Sequence, residues 1–481
     1  MPLLSLRSML TRGAKWQFRL FARIDHWTAL GSALEQRLQY LVYLSGLLRC
    51  SVISVACRSV RHAGLRQRID KLAFPQDASA KALAGLALLA VCGDQCLAQG
   101  RDARTLYIAP VPAGSEDGSN WSNAGALNRL PEFIAKLASG GSILLKADAG
   151  PYRVDRQISI RNGGSEGAQV TIYGADGNGN PSNAEILGSR ADPWLQGAHP
   201  GPEVFRLQTG ADYLVFRNLS FRNTGNGCFR VAGSIRGLGI EDVSAQNVRR
   251  FFEVNPSGEE QSARVNDLTI RRVAVRGYSK GAFRIRGDSS NVTMEDIIGD
   301  SERQDGDNFA IGVALEDTVH DVVLRRVTMM NSHDSSNAYW NGDGFTTESR
   351  VRNVRFEDTV ASGSTDGGYD LKSTETTLRR TVADDNKRNY RIWGDATIVD
   401  CVSRSPHKRG GSGLQNHFWI AKSARADVSG CEIQDSDERT TVFEVEHGGS
   451  IVVKNTSIKT SPSGRLSLVR EGGHLQITPR Q

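Results

Sequence analysis

Apolar and polar residues alternate in short stretches that recur from about residue 141 towards the end of the chain. Alternation with a period of two residues indicates short β-strands with one buried face. Aligned on one inward position, the stretches give a row of ten apolar residues: Phe216, Ile240, Ile270, Met294, Leu324, Phe356, Leu378, Ile398, Val428 and Val453. Their mean separation of about 26 residues is typical of one turn of a parallel β-solenoid.

A second row supports the same register. An aromatic residue recurs once per turn, and these residues are Phe229, Phe252, Phe283, Phe309, Phe345, Tyr369, Tyr390, Phe418 and Phe443. An apolar residue or a threonine follows each of them two positions later, on the same face of the strand. From 203 to 461 the only prolines are Pro256 and Pro406, as expected where central strands need every N–H for pairing. We therefore predict an all-β protein whose residues 141–481 form a parallel β-helix with an aromatic ladder in its core.

A short amphipathic pattern precedes the repeat. Ser122 or Asn123 can cap a helix that Gly140 and Gly141 end, with its apolar positions at Leu127, Leu130, Phe133, Ile134 and Leu137. Such a helix would cover the open first turn of the solenoid, whose strand edges otherwise invite aggregation. We therefore predict that residues 99–140 form an N-terminal cap and that the first strand is 143–145.

Positive charge is concentrated in the first hundred residues. They hold 13 Lys and Arg against five Asp and Glu, a net charge of +8, whereas the whole chain has a net charge of only +6. The remaining residues are therefore slightly acidic, at −2. Because the basic character does not extend to the repeat, we expect no nucleic-acid partner.

The end of this basic segment resembles an export signal. An apolar run, 82–92, follows Lys81, and the small-x-small string Cys96-Leu97-Ala98 comes next. The run is too short to cross a membrane but suits the central region of a signal peptide. We therefore predict that residues 1–98 are a basic leader carrying the signal, or that the true start lies downstream of Met1. The mature protein is then secreted, periplasmic or at the cell surface.

One further apolar stretch, 38–57, is interrupted by Arg49, so we expect no stable membrane span in the mature chain. Four of the seven cysteines lie in the leader. The others, Cys228, Cys401 and Cys431, show neither a CxxC motif nor a metal-binding spacing, and no disulfide framework is indicated. The repeat puts Cys401 and Cys431 in neighbouring turns, where we expect two small buried residues.

Residues one and three positions after the ladder aromatics should point outward. On this basis Asp370 and Arg391 touch in adjacent turns, which lie about 4.8 Å apart. Lys372 lies beside them, and Trp393 and Trp419 are exposed nearby. Two outward tryptophans are unusual on a solvated wall and suit stacking on sugar rings.

Carboxylates are concentrated just before the same strands. Asp343, Asp366 and Asp370 should converge at one corner between a turn and a strand, which gives an oxygen-rich cluster suited to Ca²⁺. Asp-Gly pairs also form turns for purely conformational reasons, and we favour that interpretation for Asp307.

Three strings around these residues resemble the successive site motifs of the family 9 pectate lyases, right-handed parallel β-helix enzymes: NGDGF (341–345), TDGGYDL (365–371) and NYRIWG (389–394). In that family the first two motifs supply aspartates for Ca²⁺, and the third supplies a lysine that removes the C5 proton of a uronate. The resemblance implies a right-handed parallel β-helix in which Asp343, Asp366 and Asp370 are metal ligands and Arg391 occupies the base position.

The chain departs from that pattern twice. Gly367 stands where the family has a further aspartate, and Arg391 replaces the lysine. An arginine is very hard to deprotonate, so Arg391 could instead bind a substrate carboxylate while Lys372, Lys387 or His417 removes the proton.

Basic loops on the same side would draw a polyanion along the groove. The candidate binding residues there are Arg388, Lys408, Arg409, His417, Trp393 and Trp419. β-Elimination from a uronate needs a cation on the carboxylate and a base within reach of C5–H, and Ca²⁺ with Arg391 would supply the cation.

We therefore predict a secreted, monomeric lyase that cleaves an acidic polysaccharide by Ca²⁺-assisted β-elimination. Three alternatives stay open: a glycoside hydrolase, an epimerase, and a non-catalytic β-helix that binds or scaffolds an acidic exopolysaccharide. The hydrolase would use paired carboxylates, but the chain has no GHG or RIK string. The string NSHD at 331–334 is only weakly similar to the DPHD string of alginate epimerases.

Overall fold

A computed structural model describes residues 104–138 and 140–478, and the predicted leader and its export signal at 82–92 lie outside them. The described residues are almost entirely β-strand, with one α-helix, α1, at Leu130–Lys136. Short 3₁₀ turns lie at Trp121–Asn123, Leu127–Arg129 and Ala147–Ala149. No helix within the described ranges is long and apolar enough to span a membrane.

The N-terminal strands are β1 Thr105–Ile108, β2 Gly141–Lys146, β3 Tyr152–Arg153, β4 Ile158–Ile160, β5 Val170–Ala175, β6 Ala184–Leu187 and β7 Phe205–Leu207. Four longer strands follow, β8 Leu214–Val231, β9 Ser234–Val254, β10 Arg264–Ile285 and β11 Ser290–Asp300. The first three of these run through the corners of a turn without a break.

The C-terminal half has shorter strands, in general three to a turn. They are β12 Ile311–Leu315, β13 His320–Met330, β14 Asp343–Thr347, β15 Arg352–Glu357, β16 Val360–Ser362, β17 Gly367–Leu371, β18 Thr374–Arg379, β19 Val382–Asp384, β20 Arg388–Ile392, β21 Asp395–Val399, β22 Val402–Arg404, β23 Asn416–Ile420, β24 Arg425–Ser429, β25 Glu432–Gln434, β26 Thr441–Val445, β27 Ser450–Lys454, β28 Ser457–Lys459, β29 Arg465–Val469 and β30 His474–Thr478. Each strand pairs in parallel with its counterpart in the next turn, so the predicted parallel β-helix is confirmed. We call the stack β12, β14, β17, β20, β23, β26 and β29 wall A.

The ten-residue inward row predicted from the sequence is confirmed at every step. Phe216 lies opposite Ile240, and the pairing continues without a slip to Val428 and Val453. Two residues after each member, the backbone takes a left-handed conformation, with φ between 49° and 67°. These corner residues are Asn218, Asp242, Arg272, Asp296, Arg326, Asp358, Arg380, Asp400, Gly430 and Asn455. One left-handed residue therefore bends the chain at the same corner of every turn.

The aromatic ladder is confirmed except at one position. Phe345, Tyr369, Tyr390 and Phe418 stack with ring centroids 4.9–5.2 Å apart. The prediction that Phe309 belongs to the ladder is wrong. Val313 pairs with both Phe283 and Phe345 and so takes the ladder position, while Phe309 is 50% exposed. The outward residues of that turn are therefore Ala314 and Glu316.

A short helix precedes the repeat as predicted, with two corrections. The helix begins at Leu130 with Pro131 in its first turn, while Asn120 caps the separate 3₁₀ turn at Trp121–Asn123. The five predicted apolar positions are all buried. A strand also precedes the predicted first one, because β1 pairs in parallel with β2.

Cys401 and Cys431 stack in adjacent turns as predicted, but they are not two reduced residues. Their sulfurs form a disulfide across the turns, with the Cα atoms 4.4 Å apart. Identical positions in successive turns of a solenoid are about one strand spacing apart, which is within the range a disulfide spans. Cys228 is free and buried, and its Sγ contacts the hydroxyl of Thr224.

Candidate functional site

Four consecutive strands of wall A build the floor of the candidate site. Thr346 of β14 pairs with Asp370 of β17, which pairs with Arg391 of β20, which in turn pairs with Trp419 of β23. Their side chains point away from the core because the inward positions on either side belong to the aromatic ladder and its partners. The parallel register thus brings together residues about 20–30 positions apart in the chain.

Asp366 is the centre of the site and is completely buried. Its carboxylate accepts contacts at 3.0 Å from three cations: Lys387 Nζ and Arg388 Nη1 on Oδ1, and Arg391 Nη1 on Oδ2. The hydroxyl of Tyr339 lies 2.8 Å from both oxygens. The carboxylate of Asp366 therefore contacts three cationic side chains and one tyrosine hydroxyl.

Arg391 is held between carboxylates and indoles. Its Nη1 also lies 3.3 Å from Asp370 Oδ2, while Trp393 Nε1 donates to Asp370 Oδ1 at 2.5 Å. The guanidinium carbon lies 4.6 Å from the ring centroid of Trp393 and 5.2 Å from that of Trp419. Burial acts to lower the pKa of Arg391, but Asp370 and Asp366 outweigh it, so the pKa stands above its usual value. Arg391 is thus fixed as a cation.

Asp343 is buried beside the other two aspartates. Its Oδ1 accepts the backbone N–H of Gly367 at 2.6 Å. Burial raises the pKa of Asp343 well above its usual range, and the carboxylates of Asp366 and Asp370 act in the same direction. A Cβ on Gly367 would lie 2.9 Å from Asp343 Oδ1 and 3.1 Å from Asp370 Cβ. The predicted convergence of the three aspartates is therefore present, with Gly367 in its middle.

Tyr339 was not predicted from the sequence. Its ring covers Lys387, with Nζ 3.9 Å from the ring centroid, and Arg388 Nη1 lies 2.5 Å from its hydroxyl. Tyr339 and Trp340 stand directly before the NGDGF string, which was the available signal. The loop that carries them lies outside the repeat pattern, so strand periodicity says nothing of where the ring points.

The three candidate bases occupy different environments. Lys387 has no exposed side-chain surface, and burial lowers its pKa. Lys372 is partly exposed and contacts Glu348 at 2.7 Å. Burial acts to lower the pKa of Lys372, but the hydrogen bond with Glu348 and the nearby carboxylates of Asp370 and Asp343 together outweigh it, and the pKa is raised. Lys372 is therefore the accessible lysine of the floor.

His417 does not reach the outer face. Its ring is fully buried, with Nδ1 2.8 Å from Ser403 Oγ and Nε2 3.7 Å from Asp435 Oδ2. Burial lowers the pKa of His417, so the ring is neutral. Its predicted contact with substrate is wrong because the side chain packs inside the helix.

The predicted basic residues divide into three kinds. Arg388 is buried against Asp366 and belongs to the cluster. Arg409 is anchored on the carbonyl and carboxylate of Asp385, and Lys408 is exposed. Asp307 lies outside the cluster, where it accepts from Ser279 Oγ at 2.6 Å and pairs with Arg249 at 3.1 Å.

The residues do not fit a Ca²⁺ site as the structure places them. Oxygen ligands must be free to face the cation, but each carboxylate here already faces a protein donor. The three aspartates are matched in number by Lys387, Arg388 and Arg391. Among the described residues no group of three or more His, Cys, Asp and Glu is arranged to hold a metal ion.

Comparison with known proteins gives a likeness in fold. No family model matches the sequence, and no curated protein matches it. The structure is similar to that of the pectate lyase Pel9A, with 19% identity, 67% of this chain and 79% of that chain covered, and a TM-score of 0.46. It is also similar to the A-module of the Azotobacter vinelandii mannuronan C-5 epimerase AlgE4, with 15% identity, 73% and 94% coverage and a TM-score of 0.42.

An alginate lyase from Paenibacillus sp. is a third similar structure, with 12% identity, 79% of this chain and 99% of that chain covered, and a TM-score of 0.37. The parallel β-helix of this chain is established by its own strand pairing. The chemistry of this chain is argued from its own residues.

Proposed function

We propose that the protein is a secreted polysaccharide lyase that binds an acidic, uronate-containing chain on wall A and cleaves it by β-elimination. The observation that carries the proposal is the position of Arg391, a permanently charged guanidinium on the floor between two outward tryptophans. A guanidinium matches the planar geometry of a carboxylate, and indoles stack on sugar rings. Cation and stacking surface together suit a charged sugar.

Arg391 supports recognition in a second way. Its Nε has no hydrogen-bond partner within the described residues. An unpaired buried donor is costly, and a substrate carboxylate would satisfy it. Because Asp366 and Asp370 hold the guanidinium in place, it can meet the carboxylate without reorganisation.

In the proposed reaction, Arg391 neutralises the uronate carboxylate and stabilises the negative charge that develops when C5 loses its proton. Lys372, the accessible lysine of the same floor, accepts that proton in the minor fraction of molecules in which it is the neutral amine, because the contact with Glu348 favours its ammonium form. The electron pair forms the C4–C5 double bond, the C4–O4 bond breaks, and O4 takes a proton from water as it leaves. The products are a new reducing end and an unsaturated uronate.

Two features support export from the cytoplasm. The predicted signal at 82–92 is one, and the Cys401–Cys431 disulfide is the other, because such bonds persist in oxidising compartments.

A second candidate, binding without cleavage, is favoured by a specific observation. The pKa of Arg391 and that of Lys372 are both raised, and Lys387 and His417 are buried away from the outer face. A floor of fixed cations suits recognition of a polyanion more directly than proton abstraction.

One assay separates the two candidates. The purified protein is incubated with polygalacturonate, alginate, a glucuronate-containing exopolysaccharide and neutral starch. Ultraviolet absorbance from unsaturated uronates together with new reducing ends on an acidic chain supports the lyase. Reducing ends without that absorbance indicate hydrolysis, binding without either favours the scaffold, and no interaction with any acidic chain contradicts both.

A further inference from the structure

We propose that Lys387 supplies, from the chain itself, the cation that the cluster of Asp343, Asp366 and Asp370 would otherwise take from solution. The carboxylate cluster then holds its geometry without a divalent metal. This inference concerns the architecture of the site and does not depend on the identity of the polysaccharide.

The ammonium of Lys387 lies where a metal cation would find oxygen ligands. Lys387 Nζ contacts Asp366 Oδ1 at 3.0 Å and donates to the carbonyl oxygen of Trp340 at 3.3 Å. A carboxylate oxygen and a backbone carbonyl oxygen are the ligand types that hard cations prefer. Tyr339 closes the other side with its ring 3.9 Å away, and the lysine side chain has no exposed surface. The ammonium is thus enclosed by oxygens and one aromatic face.

The charges of the cluster favour the same role for Lys387. An ion buried without a counter-charge is strongly unfavourable, so the buried carboxylates of Asp366 and Asp370 need positive charge nearby. Arg388 and Arg391 bring two charges to Asp366, and Lys387 brings the third. A Ca²⁺ ion added to this arrangement would leave the cluster with excess positive charge.

Gly367 limits the negative charge of the cluster. Its position lies between Asp343 and Asp370, and a Cβ there would be 2.9 Å from Asp343 Oδ1. With glycine, the backbone N–H donates to Asp343 instead, and no fourth carboxylate is added. Gly367 and Lys387 therefore act in the same direction, the one limiting negative charge and the other supplying positive charge.

The test is Ca²⁺ binding by the full chain, followed by thermal unfolding and by isothermal titration, with Mg²⁺ and EDTA in parallel. We expect no response from the wild-type protein. Lys387→Met removes the ammonium at similar volume, and we expect Ca²⁺ to raise its melting temperature by roughly 3–6 °C at about a hundredfold excess over Kd. The matched control is Lys372→Met, which removes a lysine of the same floor that pairs with Glu348, and it should not respond.

Three results would overturn the proposal: stoichiometric Ca²⁺ binding by the wild type, no gain of binding in Lys387→Met, or an equal gain in Lys372→Met. If Lys387→Met does not fold alone, it is refolded with Ca²⁺ or with EDTA. Recovery only with Ca²⁺ supports the role of the ammonium, and failure with both contradicts it. Because the readout is metal binding, an inactive wild type would refute the lyase and leave this inference standing.

Discussion

Asp366 determines how the candidate site is held together. It is fully buried and contacts Lys387, Arg388 and Arg391 at once. Removing one partner of a buried ion pair leaves the other charge uncompensated, which is far more costly than the net value of the pair. The stability of the site therefore depends on this residue more than on any one of the cations around it.

We predict that Asp366→Ala lowers the free energy of unfolding by about 3–5 kcal/mol, because Lys387 and Arg388 lose their carboxylate partner and Arg391 keeps only Asp370. The control is Asp358→Asn, which breaks an exposed pair with Arg380, keeps a residue type that tolerates the left-handed backbone, and should change stability by less than about 1 kcal/mol. Urea unfolding followed by circular dichroism measures both. Equal losses of unfolding free energy in the two variants would show that Asp366 contributes no more to stability than an exposed ion pair does.

At this scale the sequence predicted the convergence of the aspartates but not their partners. Asp343, Asp366 and Asp370 stand at fixed offsets from ladder aromatics, so strand register alone brings them together. Tyr339 approaches from a loop outside the repeat, and Lys387 is buried by its contacts with that loop and with Asp366. Neither has a periodic signal in the sequence.

Among the elements, wall A joins the core to the site. Its inward side is the aromatic ladder and its outward side is the floor, so the spacing of the ladder fixes the spacing of Asp370, Arg391 and Trp419. The wall was predictable because alternation is strict there. Phe309 was misplaced because an aromatic residue at about the expected interval cannot be told from a ladder member by spacing alone.

We predict that Tyr390→Ala lowers the free energy of unfolding by about 3–5 kcal/mol, because its buried ring stacks on both neighbours. Phe309→Ala is the matched control and should cost little, since its ring is half exposed and Val313 fills the ladder position. Denaturant midpoints give the comparison. A larger loss for Phe309→Ala would contradict the register described here.

Residues at the left-handed corner also form ion pairs between successive turns. Asp242, Asp296 and Asp358 occupy this corner, and hydrogen bonds from Arg272, Arg326 and Arg380 lower their pKa values. Pairs of successive turns are thereby joined by exposed ion pairs. The sequence indicated polar turn residues, but it did not show that aspartate and arginine share one corner position.

We predict that the melting temperature falls as pH drops from 5 to 3. A carboxylate whose folded pKa is depressed stabilises the fold above its unfolded pKa of about 4, and this contribution is lost as pH falls through the folded value. Thermal unfolding measured between pH 5 and pH 3 shows whether the melting temperature falls. Substituting the three corner aspartates with asparagine should weaken the dependence of the melting temperature on pH. An unchanged dependence would show that other carboxylates cause it.

For the molecule as a whole, the sequence predicted the architecture better than the chemistry. In a solenoid the same strand positions recur in every turn, and so does the alternation of apolar and polar residues. A pattern that is weak in one turn therefore becomes clear over ten turns. The site occurs only once, and its details depend on one glycine, one lysine and one loop. The disulfide was missed for a related reason, since spacing placed Cys401 and Cys431 together but did not reveal their oxidation state.

The most direct test of the central claim compares two arginines of the same outward row. Arg391→Ala removes the guanidinium between the two tryptophans. Arg284→Ala removes a guanidinium on β10, outside the cluster, that pairs with Glu316. Cleavage of the best acidic polysaccharide is followed by the absorbance of unsaturated uronates. We predict that Arg391→Ala lowers kcat/KM by roughly 100-fold or more, as for loss of one charge-stabilising donor, while Arg284→Ala stays within about threefold of wild type. Wild-type turnover in Arg391→Ala would contradict the assignment of the site.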